Sequence, residues 1–127
     1  MYHFIPLPTG EGLGERPMNF KEGEVLYFNK PLGWTSLKVV GHARYHICRR
    51  IKEKKLKVGH AGTLDPLATG VMIVCTGKAT KLIEEFQYHT KEYVATIRLG
   101  ATTPSYDLEH EIDATYPTEH ITRGLVE

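Results

Sequence analysis

The stretch VGHAGTLDPLATGV, residues 58–71, constrains this chain more than any other, because its three glycines permit and its proline imposes backbone that neither a regular helix nor a strand would keep. It reads as a tight loop. Inside it stands Asp65, one of only three aspartates among 127 residues. An apolar run, VMIVC at 71–75, follows and reads as a buried strand, so the carboxylate sits at a strand mouth, where catalytic groups often lie. For an isolated Asp-Pro pair a turn or capping role is the commoner outcome. GHAGTLDPLATG lacks the Lys-Ser/Thr ending of a phosphate-binding P-loop and the glycine spacing of a dinucleotide fingerprint. GKAT at 77–80 is only a partial echo of the former, which disfavours nucleotide binding.

The rest of the chain limits the function class. A chain of this length, 41% hydrophobic, buries one modest core and is the size of a single domain. Cys48 and Cys75 lack CxxC or His-paired spacing and read as reduced core residues, with neither a disulfide nor a metal site. No apolar run approaches the roughly 18 residues of a membrane span, and no secretion signal is evident, so a cytoplasmic protein is expected. Net charge is only +1, yet eight of the sixteen Lys and Arg lie between residues 38 and 57, against one acid, Glu53. From Asp107 to Glu127 the balance reverses, with six acids and one arginine. That polarity suits docking of a polyanion on one side, although a charge run is more often a solvated face.

Residues 1–17, with three prolines and three glycines, show no periodicity and read as an irregular or disordered leader. A strand is expected over 24–29, ended by a turn at Lys30-Pro31-Leu32-Gly33. A helix follows with Ser36 as N-cap, its apolar stripe formed by Val40, Ala43, Ile47 and Ile51, with Lys38, His42, Arg49 and Lys52 around it. Further strands are expected at 56–58, 71–76, 93–99 and 112–116, with helices at 78–86 and from a Thr118 cap onward. In the 93–99 strand, Tyr93 shares a face with Ala95, Ile97 and Leu99. Mixed strands and helices without strict alternation indicate an α+β class.

The loop around Asp65 closely resembles the signature loop of the bacterial tRNA pseudouridine synthases of the TruB family. NKPLGWTS at 29–36 is similar to that family's opening motif, and KEYVATIRLGATT at 91–103 to its tyrosine-bearing strand. The matches cover roughly residues 25–109. The resemblance implies the pseudouridine synthase fold, a mixed, largely antiparallel sheet flanked by helices, incomplete here, with 18–127 as the N-terminal portion of the catalytic domain. Met18 fits the family's usual beginning better than Met1.

It implies also the isomerisation of uridine to pseudouridine at position 55 in the TΨC loop of tRNA, with the target base flipped out. The reaction detaches uracil from C1′ and rejoins it through carbon, so a carboxylate that engages C1′ or takes a proton there is needed. Asp65 matches the family's nucleophile. Uracil leaves as a stabilised anion without redox change, so no metal or organic cofactor is expected. His60 matches the segment that enters the RNA loop and fills the vacated stack; by itself it would read as a histidine bonded to loop backbone. Tyr93 matches the active-site tyrosine, whose ring stacks on uracil, although a strand tyrosine is more often core. Lys30 is assigned to loop support or RNA contact. Arg49, Arg50, Lys54, Lys55 and Lys57 have the number and spacing to track an RNA backbone, giving affinity without base specificity. The partner is tRNA, with no membrane and no protein partner implied.

Departures are also present. ATTPSYDLE at 101–109 differs from the family's Asp-rich form. The later motifs, including the arginine expected to pair with the aspartate, and the C-terminal RNA-binding domain have no match; neither Arg98 nor Arg123 stands in the arginine's context. The isolated chain is therefore expected to be inactive. The alternatives are a non-catalytic RNA-binding fragment and the related guide-RNA-dependent synthases.

Overall fold

The computed structural model describes residues 17–127, so the expectation of an irregular leader falls, apart from Pro17, outside the described residues. The described chain gathers into two units, which divide between Thr90 and Lys91.

In the first unit β1 (Val25–Lys30), β2 (Val58–His60) and β3 (Gly70–Thr76) form an antiparallel sheet in the order β1-β3-β2. The apolar run of β3 suits the central place, where both edges are paired; Met72, Val74 and Cys75 are buried. β1 runs from Val25 opposite Cys75 to Lys30 opposite Gly70, and β2 from Val58 opposite Thr76 to His60 opposite Val74. Alternation along β1 buries Leu26 and Lys30 and leaves Tyr27 and Asn29 exposed. β2 lies two residues later than the expected 56–58, which places His60 on a strand end and leaves Leu56 as a core residue ahead of it.

Helix α1 (Ser36–Ile51) buries Val39, Val40, Ala43 and Ile47, a stripe at helical spacing. Val40 and Ile47 join Phe20, Leu26, Leu56, Val58 and Val74 in the core, with Ile51 half-buried against it. The N-cap is Thr35 rather than Ser36: its extended backbone lets its hydroxyl accept from Lys38 N at 3.1 Å. Lys52 closes the helix in the left-handed conformation, φ 56°, and Glu53 N bonds back to Cys48 O at 3.0 Å.

A single helix at 78–86 is not what forms. A 3₁₀ helix (Gly77–Leu82) precedes a short α2 (Ile83–Gln87). Gly77, at φ 53°, passes so near Phe20 and Lys21 that an added Cβ would lie 2.1 Å from the Lys21 carbonyl oxygen, and Thr80 Oγ1 donates to Gly77 O at 2.9 Å. This backbone approach and the local bond tighten the first turns into i to i+3 pairing.

The second unit pairs β4 (Ala101–Thr102) with β5 (Ala114–Thr115), antiparallel, and ends in the short α3 (Arg123–Val126). The expected strand at 93–99 is absent: residues 91–98 have no regular structure. The strand at 112–116 is reduced to two residues, and the last helix starts after Thr122, not Thr118. No residue of 91–127 is buried, so the alternation around Tyr93 has no covered face to occupy. The structure is thus mixed helix and antiparallel sheet, in keeping with the α+β class. Among the described residues no helix is long and apolar enough to cross a membrane.

Candidate active site

Between β2 and β3 the Gly- and Pro-rich stretch forms a loop with Asp65 at its turn: Ala68 N donates to Asp65 O at 3.0 Å, with Pro66 following Asp65. Both flanking residues are anchored. Ser36, the first residue of α1, donates through Oγ to Leu64 O at 3.1 Å and accepts from Leu64 N at 2.9 Å. On the other side Pro66 O accepts from Gly33 N at 2.7 Å and from Lys30 Nζ at 3.2 Å. Gly33 reaches that position because its turn, closed by Trp34 N to Pro31 O at 3.3 Å, places it at φ 81°. Asp65 itself is exposed. Among the described residues no hydrogen bond or ion pair engages its carboxylate. The backbone on either side of Asp65 is anchored, and its carboxylate is presented to solvent.

Lys30 is completely buried at the end of β1. Its ammonium donates to Trp34 O at 2.6 Å, Pro31 O at 3.0 Å and Pro66 O at 3.2 Å. Three donors meet three carbonyls, which leaves none for a phosphate. Burial pushes its pKa below the ordinary lysine value, and the Asp65 charge opposes that shift. The two groups therefore sense each other electrostatically.

His60, half-buried at the end of β2, has Nδ1 2.7 Å from Gly62 O, so that nitrogen carries the proton and donates. This bond ties the ring to its own loop. Lys30, His60 and Asp65 are thus brought to one loop and its support. Tyr93 belongs to the second unit, on the irregular segment, and is 69% exposed.

The basic block is exposed at Arg49, Arg50, Lys54, Lys55 and Lys57. Two neighbouring depressions lie there. One, about 440 Å³, is bordered by Arg44, Tyr45, Arg49, Lys52 and Lys54; the other, about 390 Å³, by Arg44, Lys54, Lys55 and Lys57. Arg50 borders neither. Glu53, the single acid of the block, is ion-paired with Lys21. Arg44, which the RNA-backbone set above does not include, borders both depressions and donates to Val58 O at 3.3 Å. Its membership in the run of cations from 38 to 57 was the available signal. Ser36, which the sequence marks only as a helix cap, also stands at the end of NKPLGWTS, and that place is the clue to its contact with the loop. Among the described residues no group of three or more His, Cys, Asp or Glu could hold a metal ion.

Comparison with known proteins yields one consistent family. The family model described as TruB family pseudouridylate synthase (N terminal domain) matches residues 48–127. A protein of Bacteroides fragilis named tRNA pseudouridine synthase B is 94% identical over 110 residues, which cover 87% of this chain and 47% of that protein. Proteins of the same name are 90% identical in Bacteroides thetaiotaomicron, over 87% of this chain and 46% of the relative, and 54% identical in Flavobacterium johnsoniae, over 87% and 48%. The chain spans about half the length of the curated relatives it matches.

Proposed function

Because the chain belongs to the TruB family of pseudouridylate synthases, we propose that it is part of an enzyme that isomerises uridine to pseudouridine at position 55 in the TΨC loop of tRNA. Residues 18–127 then form the N-terminal portion of the catalytic domain, built on the pseudouridine synthase fold and working in the cytoplasm. The Asp65 carboxylate engages C1′ of the flipped nucleotide, as nucleophile or base, while uracil detaches as an anion, turns and rejoins through carbon. His60 enters the space the base has left, and the Tyr93 ring stacks on uracil. Lys30 supports the loop from beneath, through Pro66. Arg49, Arg50, Lys54, Lys55 and Lys57 hold the RNA backbone by charge, and the shape of an unstacked loop supplies specificity.

The observation that carries this reading is the exposed Asp65 carboxylate on a backbone anchored at Leu64 and Pro66. Asp65→Asn, in a chain extended to the length of the Bacteroides fragilis relative, is expected to abolish pseudouridine formation while tRNA affinity stays within a few fold. Carbodiimide labelling with mass spectrometry reads the product; wild-type conversion would remove Asp65 from the mechanism. The 127-residue chain alone is expected to show no measurable tritium release from C5 of uracil in labelled tRNA. Asp65 finds no ion-pair partner among the described residues, and Lys30, the cation that senses it, is committed to carbonyls. Release at a rate near that of the extended chain would show that Asp65 needs no further cation.

A further inference from the structure

The face of α1 opposite its buried stripe carries an unbroken series of rings and cations. Lys38 Nζ lies 4.3 Å from the centroid of the Trp34 ring, and Trp34 meets His42 edge to face at 5.3 Å. His42 and His46 follow at 4.4 Å, and His46 and Tyr45 at 5.2 Å. The series ends at Arg49, 5.6 Å from the Tyr45 ring and donating to its hydroxyl at 3.0 Å. Trp34 is half-buried; the other five side chains are exposed.

An ordinary solvated helix face is built differently. Its cations stand three or four residues from carboxylates, and its rings turn toward the core. The sixteen residues of α1 contain no carboxylate, so no intrahelical ion pair uses the positive charge. Core packing is already supplied by Val39, Val40, Ala43 and Ile47 on the other side. Rings interleaved with cations fit an anionic chain whose own flat faces are accessible, as in single-stranded nucleic acid. A duplex hides those faces within its stack.

The position of the series points the same way. Trp34 follows Gly33, whose amide holds Pro66 beside Asp65, while Tyr45 and Arg49 border the 440 Å³ basic depression. At 1.5 Å per residue, α1 carries the series about 17 Å from Lys38 to Arg49. We propose that this face of α1 is a stacking track for unpaired RNA nucleotides flanking the target, running from the Asp65 loop to the basic depression. The inference rests on the reading of the protein as an RNA-modifying enzyme and adds to it where unstacked bases lie.

Trp34 is the only tryptophan of the chain and reports directly. The 127-residue protein is titrated with a short unpaired oligouridylate and, separately, with an RNA hairpin of equal nucleotide number, following tryptophan emission and the anisotropy of labelled RNA. Unpaired RNA is expected to quench Trp34, and the double variant Tyr45→Ala/His46→Ala to bind it about tenfold more weakly. Hairpin binding is expected to change less than twofold, and Tyr45→Phe, which keeps the ring, to restore the affinity. Circular dichroism establishes that the variants keep the helix. Binding of unpaired RNA without quenching, or equal losses on both RNAs, would overturn the track and reduce α1 to a charged surface. Those outcomes leave the proposed catalysis untouched, since that is read by pseudouridine formation in Asp65→Asn; loss of the catalytic reading would not alter the quenching.

Discussion

In residues 17–90 an alternating apolar pattern finds partners: β1 sets Leu26 and Lys30 inward, β3 sets Val74 beside Leu26, and α1 closes the core with Val40 and Ile47. Residues 91–127 begin with an alternation as regular, Tyr93, Ala95, Ile97 and Leu99, yet it forms no strand, and Val94, Ile97 and Tyr106 are among its most exposed side chains. Each large apolar side chain fully buried contributes roughly 1.5–3 kcal/mol, so the first unit is held by its core. The second is held by a two-residue strand pair and short-range hydrogen bonds such as Thr102 Oγ1 to Asp113 Oδ1 at 2.6 Å. Periodicity states which face should be covered; it does not supply the cover.

Matched glycine substitutions test this contrast most severely. Gly77→Ala would set a Cβ 2.1 Å from Lys21 O at a left-handed backbone, and Gly100→Ala, at φ 79°, would set one 2.4 Å from Thr118 Cγ2. The first strikes backbone behind which the core is packed. It should lower unfolding stability by roughly 2–5 kcal/mol, the sum of left-handed strain and overpacking. The second should perturb amide exchange around β4 and β5 and shift the main urea transition by less than about 0.5 kcal/mol. Equal shifts in that transition would mean that the two units unfold together, and the contrast would fail.

The anchors of the Asp65 loop come next. Lys30→Met leaves three carbonyls without their shared donor and should cost roughly 2–4 kcal/mol, and Ser36→Ala, which removes one hydroxyl bonded to both polar groups of Leu64, roughly 1–2 kcal/mol. Hydrogen exchange should quicken at Gly33 in the first variant and at Leu64 in the second, while amides of 91–127 keep their wild-type rates. Unchanged exchange at Leu64 in Ser36→Ala would show that the Gly and Pro backbone holds the loop unaided.

What was readable beforehand follows the same division. The loop around Asp65, β1, β3 and the stripe of α1 are local patterns, and local chemistry decides them. The anchors depend on contacts between residues 28 and 36 positions apart, Ser36 with Leu64 and Lys30 with Pro66, which no window of sequence displays. The cap at Thr35 follows from the same cause, since Ser36 is engaged by the loop and the preceding hydroxyl takes the helix terminus. The break of the 78–86 helix arises from Gly77 lying against Lys21, again a distant contact. At Tyr93 a local pattern is present, but among the described residues no strand pairs with it, so the expected strand is missing.

The smallest effect isolates the second unit by pH. Asp107 accepts from Ser105 Oγ at 2.6 Å and from Glu109 N at 2.9 Å, and His110 Nδ1 lies 2.9 Å from the same Ser105 hydroxyl. The Ser105 bond first, then the Glu109 amide, hold the Asp107 carboxyl below the usual carboxylate range, with the His110 charge assisting and slight burial opposing. A carboxyl whose folded pKa is depressed contributes its stabilisation fully above the unfolded value of about 3.9, and loses it as pH falls through the lower folded value. The turn at 103–110 should therefore keep its order at pH 4 and lose it only under more acidic conditions. NMR reads this through the Glu109 amide, whose shift should titrate below the ordinary carboxylate midpoint. Asp107→Asn should remove that titration and leave the acid response of the Val74 amide, in the core of the first unit, as in the wild type. A Glu109 midpoint at the ordinary carboxylate value would show that the turn is not held by this carboxylate, and a change at Val74 in the variant would show that its order is not confined to residues 91–127.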